Sequence, residues 1–123
     1  MKSNSKDKPK VFESLGNGAW HYNYNIERKS STDEARVEEV SFDYDQVKIW
    51  GLPTINEVTK AVIASKYDIE EEINLANDYR RFELGISEEA LLKERYVDYL
   101  NDVDAMKAMI ADSFIENKKQ LNQ

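Results

Sequence analysis

The tetrapeptide Gly51-Leu52-Pro53-Thr54 divides the chain into two halves with different periods. Before it, apolar residues alternate with polar ones. After it, they return every three or four positions. Alternation is the signature of a half-buried strand, and the longer period that of an amphipathic helix. Strands first and helices after argue for an α+β fold with a small antiparallel hairpin or sheet, and against a parallel α/β arrangement.

The first half is led by WHYNYNI, residues 20–26. Trp20, Tyr22, Tyr24 and Ile26 fall on one face of a strand, and His21, Asn23 and Asn25 on the other. Gly16-Asn17-Gly18 marks the turn before it. The polar stretch 29–36 reads as an exposed hairpin loop, and a second strand follows from about Val37 to Trp50. The sheet region therefore spans about 19–50. Val40, Phe42 and Tyr44 have opposite parity to Val47 and Ile49, so a phase slip is expected near Asp45-Gln46, as a β-bulge or a break. Trp20, Tyr22 and Tyr24 are expected to pack across the hairpin against Val40, Phe42 and Tyr44.

Three helices are expected in the second half, over about 55–67, 69–84 and 88–118. Thr54 with Glu57, and Asp68 with Glu71, form capping boxes. Ile69, Ile73 and Ala76 are read as the inner stripe of the second helix, and Gly85 as its stop. Ser87 is read as the cap of the third. Leu92, Tyr96, Tyr99, Val103, Met106 and Ile110 follow at spacings of four, three, four, three and four. That is the seam of a packed helix. A helix of this extent would be about 45 Å long, against a compact radius near 14 Å for a domain of this size. Its end must project or meet another chain. The seam has two readings, a core-facing stripe or an oligomerisation helix. The aromatic strand likewise reads as core or as a protein interface. The candidate interface residues are therefore Trp20, Tyr22, Tyr24, Leu92, Tyr96, Tyr99 and Met106.

A chain of 123 residues suits one domain. Residues 11–123 are taken as that domain. Residues 1–10, with four lysines against one aspartate, are taken as a flexible basic arm. The net charge of −7 disfavours binding to nucleic-acid phosphates and suits basic protein partners. No apolar run approaches the roughly 18 residues of a membrane span, and no apolar region follows the basic N-terminus as in a secretory signal.

The chemistry expected is sparse. There is no cysteine, and His21 is the sole histidine. No nucleophile motif accompanies it. Asp43-Tyr44-Asp45 has only the first spacing of a calcium loop. The four glycines sit between elements and form no phosphate-binding loop. No catalytic residue, metal site or cofactor is assigned, and the chain is expected not to be an enzyme.

The segments WHYNYNIE (20–27), YDQVKIWGLPTINEVTKAVIASKY (44–67) and DIEEEINLANDYRRFELG (68–85) carry a resemblance. They are similar to small uncharacterised proteins encoded in phages and prophages of gut Bacteroidales, near virion structural genes. The likeness covers about residues 18–100, and its motifs concern packing and turns. It implies a phage virion structural protein of fibre, decoration or connector type, or an assembly partner of one. Such a protein would be made in the bacterial host cytoplasm, reside in the virion, form homo-oligomers and contact other virion proteins. The alternative it leaves open is a phage-encoded inhibitor of a host defence protein. It supplies no active-site residues.

Overall fold

The computed structural model describes residues 2–32, 34, 36 and 38–121. Its elements in chain order are β1 (Lys2–Ser5), β2 (Phe12–Ser14), β3 (Ala19–Thr32), β4 (Glu38–Trp50), α1 (Ile55–Lys66), α2 (Ile69–Glu83), α3 (Ala90–Glu116) and α4 (Lys118–Leu121). The fold is α+β: a four-stranded antiparallel sheet in the order β1-β4-β3-β2, followed by helices.

The β3–β4 hairpin sets the frame. Trp20 pairs with Ile49, Tyr22 with Val47 and Tyr24 with Asp45. The expected partners Val40, Phe42 and Tyr44 are displaced, because β3 runs on to Thr32 and the turn falls later than the polar composition suggests. Turn position fixes register, and register fixes every cross-strand neighbour. The irregularity also changes strand. Between the pairs Tyr24–Asp45 and Glu27–Asp43, Asn25 and Ile26 together oppose Tyr44. Asn25 takes the left-handed conformation at φ 52°, which asparagine tolerates better than most residues. The bulge thus lies in β3, and β4 keeps its alternation. Its two apolar sets occupy two faces. Val47 and Ile49 are buried on the helix side, whereas Val40, Phe42 and Tyr44 are half-buried on the reverse.

The reverse face has its own cover. β1 and β2 lie on opposite edges of the sheet, so the segment 6–11 between them must cross β4 and β3. Asn23 pins it. Its Nδ2 donates to the Lys10 carbonyl at 2.7 Å, and its Oδ1 accepts from Gln46 Nε2 at 2.9 Å. The asparagine is 1% exposed. Part of the segment expected as a flexible arm is thereby tied down, since Lys2–Ser5 pairs with Phe42–Asp45.

The core lies between the helix-side face and α1 and α3. Phe12, Trp20, Tyr22, Tyr24, Val47 and Ile49 meet Val58 and Val62 of α1 and Met106 and Ile110 of α3. Phe114 edges onto Phe12 with ring centres 4.8 Å apart. α4 closes the β2 edge, where Gln120 Oε1 accepts from the Phe12 amide at 2.9 Å. Burial of this apolar cluster is the main stabilising term, at about 25 cal/mol per Å² removed from water.

Helix caps follow the expected chemistry. Thr54 and Asp68 accept from the Glu57 and Glu71 amides at 3.2 and 2.7 Å. At Gly85, with φ 73°, the Gly85 and Ile86 amides bond back to Phe82 and Arg81, a Schellman ending. The third helix starts later than expected. Ser87 Oγ accepts from Glu89 at 3.3 Å, and the helix begins at Ala90. It is continuous through Asn101-Asp102, and Asn117 separates it from α4.

Candidate functional site

Two surface features stand out: a polar cleft at the β3 bulge and an apolar groove at the end of α3. The cleft encloses about 460 Å³ between β3, β4, α1 and α3. Val62, Met106 and Met109 form its floor, and Asn25, Asp45, Ser65, Lys66 and Asp102 its polar rim. Each rim group has a partner. Asn25 Nδ2 donates to Asp45 Oδ2 at 3.0 Å. Ser65 Oγ donates to the Val62 carbonyl at 2.7 Å, which leaves the Tyr24 hydroxyl as donor to Ser65 at 3.3 Å. Asp102 Oδ2 accepts from both Tyr67 OH and Lys66 Nζ, each at 2.6 Å.

These contacts move the titrating groups away from neutrality. The Lys66 ammonium, and after it the Tyr67 hydroxyl, hold the Asp102 carboxyl below the usual carboxylate range. The same Asp102 hydrogen bond, with partial burial, pushes the Tyr67 phenol up to about 12. Proton exchange near pH 7 needs a group poised near 7. Here the carboxylate stays ionised and the phenol stays protonated, so the trio acts as a clamp between the end of α1 and the middle of α3.

His21 is remote from the cleft. It lies on the reverse face, paired across β2 with Glu13. Its Nδ1 stands 3.6 Å from Glu13 Oε1, beyond hydrogen-bond length. Among the described residues no three histidine or carboxylate groups converge as a metal would require. No described helix is long and apolar enough to cross a membrane.

The apolar groove, about 470 Å³, runs between the β4–α1 connection and the end of α3. Leu52, Pro53 and Ile55 form one wall; Phe114, Ile115 and Leu121 form the other. Leu52 and Ile115 are roughly two-thirds exposed, at 63% and 67%. Nearby, Trp50 is also exposed, with Lys48 Nζ 4.2 Å above its ring.

The residues read from sequence as core or interface lie away from the groove. Trp20, Tyr22, Tyr24 and Met106 are buried in the core cluster, and of these Tyr24 and Met106 also line the cleft. The Tyr22 hydroxyl is used internally, 2.9 Å from Ser113 Oγ, and burial raises its pKa. Leu92, Tyr96 and Tyr99 are half-buried on the α2 side of α3. Tyr96 stacks on Tyr79 with centres 4.7 Å apart, and Tyr99 meets Tyr67 edge-on at 5.0 Å. The seam is thus half-buried in its first half and buried from Val103 onward. Its first half packs on α2, and its second half on the sheet and α1.

The expected inner stripe of α2 is corrected in the opposite sense. Ile69, Ile73 and Ala76 are exposed. The helix instead half-buries Leu75, Tyr79 and Phe82, with Tyr79 stacked on Tyr96 of α3, because three large side chains bury more apolar area than two isoleucines and an alanine. The groove residues were not singled out from sequence. The signal available was the run of apolar residues Leu52, Pro53 and Ile55 beside a strand end. Comparison of the chain with protein-family models, curated proteins and solved structures returned no match.

Proposed function

We propose that this chain is a non-enzymatic interaction protein: a structural component of a phage particle, or an assembly partner of one, working through protein–protein contacts. The observation that carries the reading is the groove of Leu52, Pro53, Ile55, Phe114, Ile115 and Leu121. A small acidic chain gains nothing in solubility from an open apolar trough. Contiguous exposed apolar surface of this kind marks contact sites. The cleft supports the same reading, since Lys66 and Asp102 are engaged in holding α1 to α3 and Asp45 in bonding Asn25. The particle setting rests on the resemblance of residues 18–100.

The test is incorporation. Particles purified from a lysing culture are expected to contain the chain at defined stoichiometry by mass spectrometry. Leu52→Asp with Ile115→Asp is expected to abolish incorporation. Because both side chains are mostly exposed, stability should stay within about 0.5 kcal/mol of the parent. Absence of the chain from both particles and their assembly intermediates would contradict the reading.

A further inference from the structure

The cleft at the β3 bulge is rich in acceptors and poor in free donors. Its hydroxyl donors are engaged within the fold, Ser65 on the Val62 carbonyl and Tyr24 on Ser65. Asn25 Nδ2 donates to Asp45. Three acceptors remain. Asp45 and Asp102 both bond through Oδ2, so each Oδ1 accepts from no described residue, and neither does Asn25 Oδ1. Asp45 belongs to the sheet wall of the cleft and Asp102 to its α3 wall. A ligand that fits this lining must bring N–H or O–H donors with it.

Charge selects the sign of that ligand. The Lys66 ammonium, 2.6 Å from Asp102, balances one of the two carboxylates. One net negative charge is left on the rim. The α3 wall also belongs to an acidic hairpin, since residues 68–104 carry twelve carboxylates against four basic groups. Such a field repels anions and draws cations in.

Size and donor geometry narrow the class. A volume of about 460 Å³ lies within the roughly 300–1,000 Å³ of small-molecule sites. A metal ion is poorly served, because no three carboxylate or histidine groups converge among the described residues. An ammonium is a compact, strongly hydrated point charge. A guanidinium is planar and weakly hydrated, and it spreads five N–H donors in a fixed fan. That fan serves oxygens on two walls at once. The floor of Val62, Met106 and Met109 suits an aliphatic stem, because methionine adapts its shape to what it covers.

We propose that this cleft binds a guanidinium group on a short aliphatic stem, its planar head between Asp45 and Asp102 and its stem along Met106 and Met109. A free alkylguanidine and an arginine of a partner chain present the same head, and the test separates them. The site does not depend on the apolar groove, so its failure leaves the contact reading untouched.

Amide chemical-shift titration of the full chain with n-butylguanidinium tests this. Saturable shifts are expected at Asn25, Ser65, Lys66 and Asp102. n-Butylammonium is expected to bind several-fold more weakly, and n-butyrate not at all. Asp45→Asn keeps an acceptor for Asn25 and is expected to weaken n-butylguanidinium binding about tenfold. The comparison of the three probes on the unaltered chain stands whether or not that variant folds. No saturation by about 10 mM n-butylguanidinium overturns the proposal. So does equal binding of n-butylammonium, or a set of shifts spread over all the surface carboxylates. An N-acetyl-Gly-Arg-Gly amide assigns the source. Binding equal to that of n-butylguanidinium supports a partner's arginine, and exclusion of the peptide supports a free small molecule.

Discussion

Asn23 and Asn25 sit two positions apart on β3 and serve different ends. Asn23 is buried and satisfied, joining the crossing segment 6–11 to the sheet through Lys10 and to β4 through Gln46. Asn25 is exposed and supplies the left-handed residue of the bulge. From sequence both looked like polar-face residues of a plain strand. Alternation shows which face a side chain takes, but not what later covers it. Asn23→Ala would leave the Lys10 carbonyl and the Gln46 amide without their partner. A loss of about 1–3 kcal/mol is expected in urea unfolding. A loss near zero would mean that the segment is not held by this side chain. The Tyr67–Asp102 contact makes a pH prediction. A phenol whose folded pKa is raised stabilises the fold fully below pH 10, its ordinary value, and that contribution is lost as pH rises through about 12. The Asp102 carboxylate, held low, stabilises the fold above its ordinary range, and its contribution is lost as pH falls through its folded value. Neither term varies around neutrality. Tyr67→Phe is expected to remove one late-ionising phenol from the alkaline absorbance titration and to flatten the stability loss between pH 10 and 12. Loss of a phenol that titrates near its ordinary value of 10 would place Tyr67 outside this contact.

At the scale of elements, local signals were legible and distant ones were not. The caps at Thr54 and Asp68 and the Gly85 ending depend on residues within one helical turn, and each forms as the sequence suggests. The hairpin register depends on where the turn falls within a polar run that offers several places, and it shifted. The face choice of α2 was also open, since the helix carries two apolar stripes and only the α3 seam decides between them. Tyr96 of that seam takes Tyr79 as its stacking partner. Tyr79→Ala is expected to cost more than the roughly 1 kcal/mol of the aromatic pair, because the half-buried ring's apolar area is lost with it. The loss should appear mainly as faster amide hydrogen exchange in α2 and the first half of α3. Equal acceleration in β3 and β4 would show that the hairpin and the sheet open as one unit instead.

At the scale of the whole molecule, the long α3 joins two packings. Its second half completes the sheet core, and its first half carries α2 as a helical hairpin. The 27 residues of α3 extend about 40 Å, so the seam must find two partners in turn, and the chain supplies both. What it leaves uncovered is the groove at one end of α3 and the outer stripe of α2. Of the residues that the sequence left open between core and interface, Trp20, Tyr22, Tyr24 and Met106 are core and Leu92, Tyr96 and Tyr99 are half-buried, whereas a stripe that looked like core became surface. Side-chain type alone could not separate the two roles, because cores and protein contacts draw on the same aromatic and aliphatic residues.

The most direct measurement uses the absence of native cysteine. Leu52→Cys, in the groove, and Glu88→Cys, exposed and outside it, would each be labelled with a thiol-reactive photocrosslinker and offered to assembling particles. A covalent product with a particle protein from Leu52→Cys and none from Glu88→Cys is the expected result. Equal products at both positions, or none at either, would contradict the account.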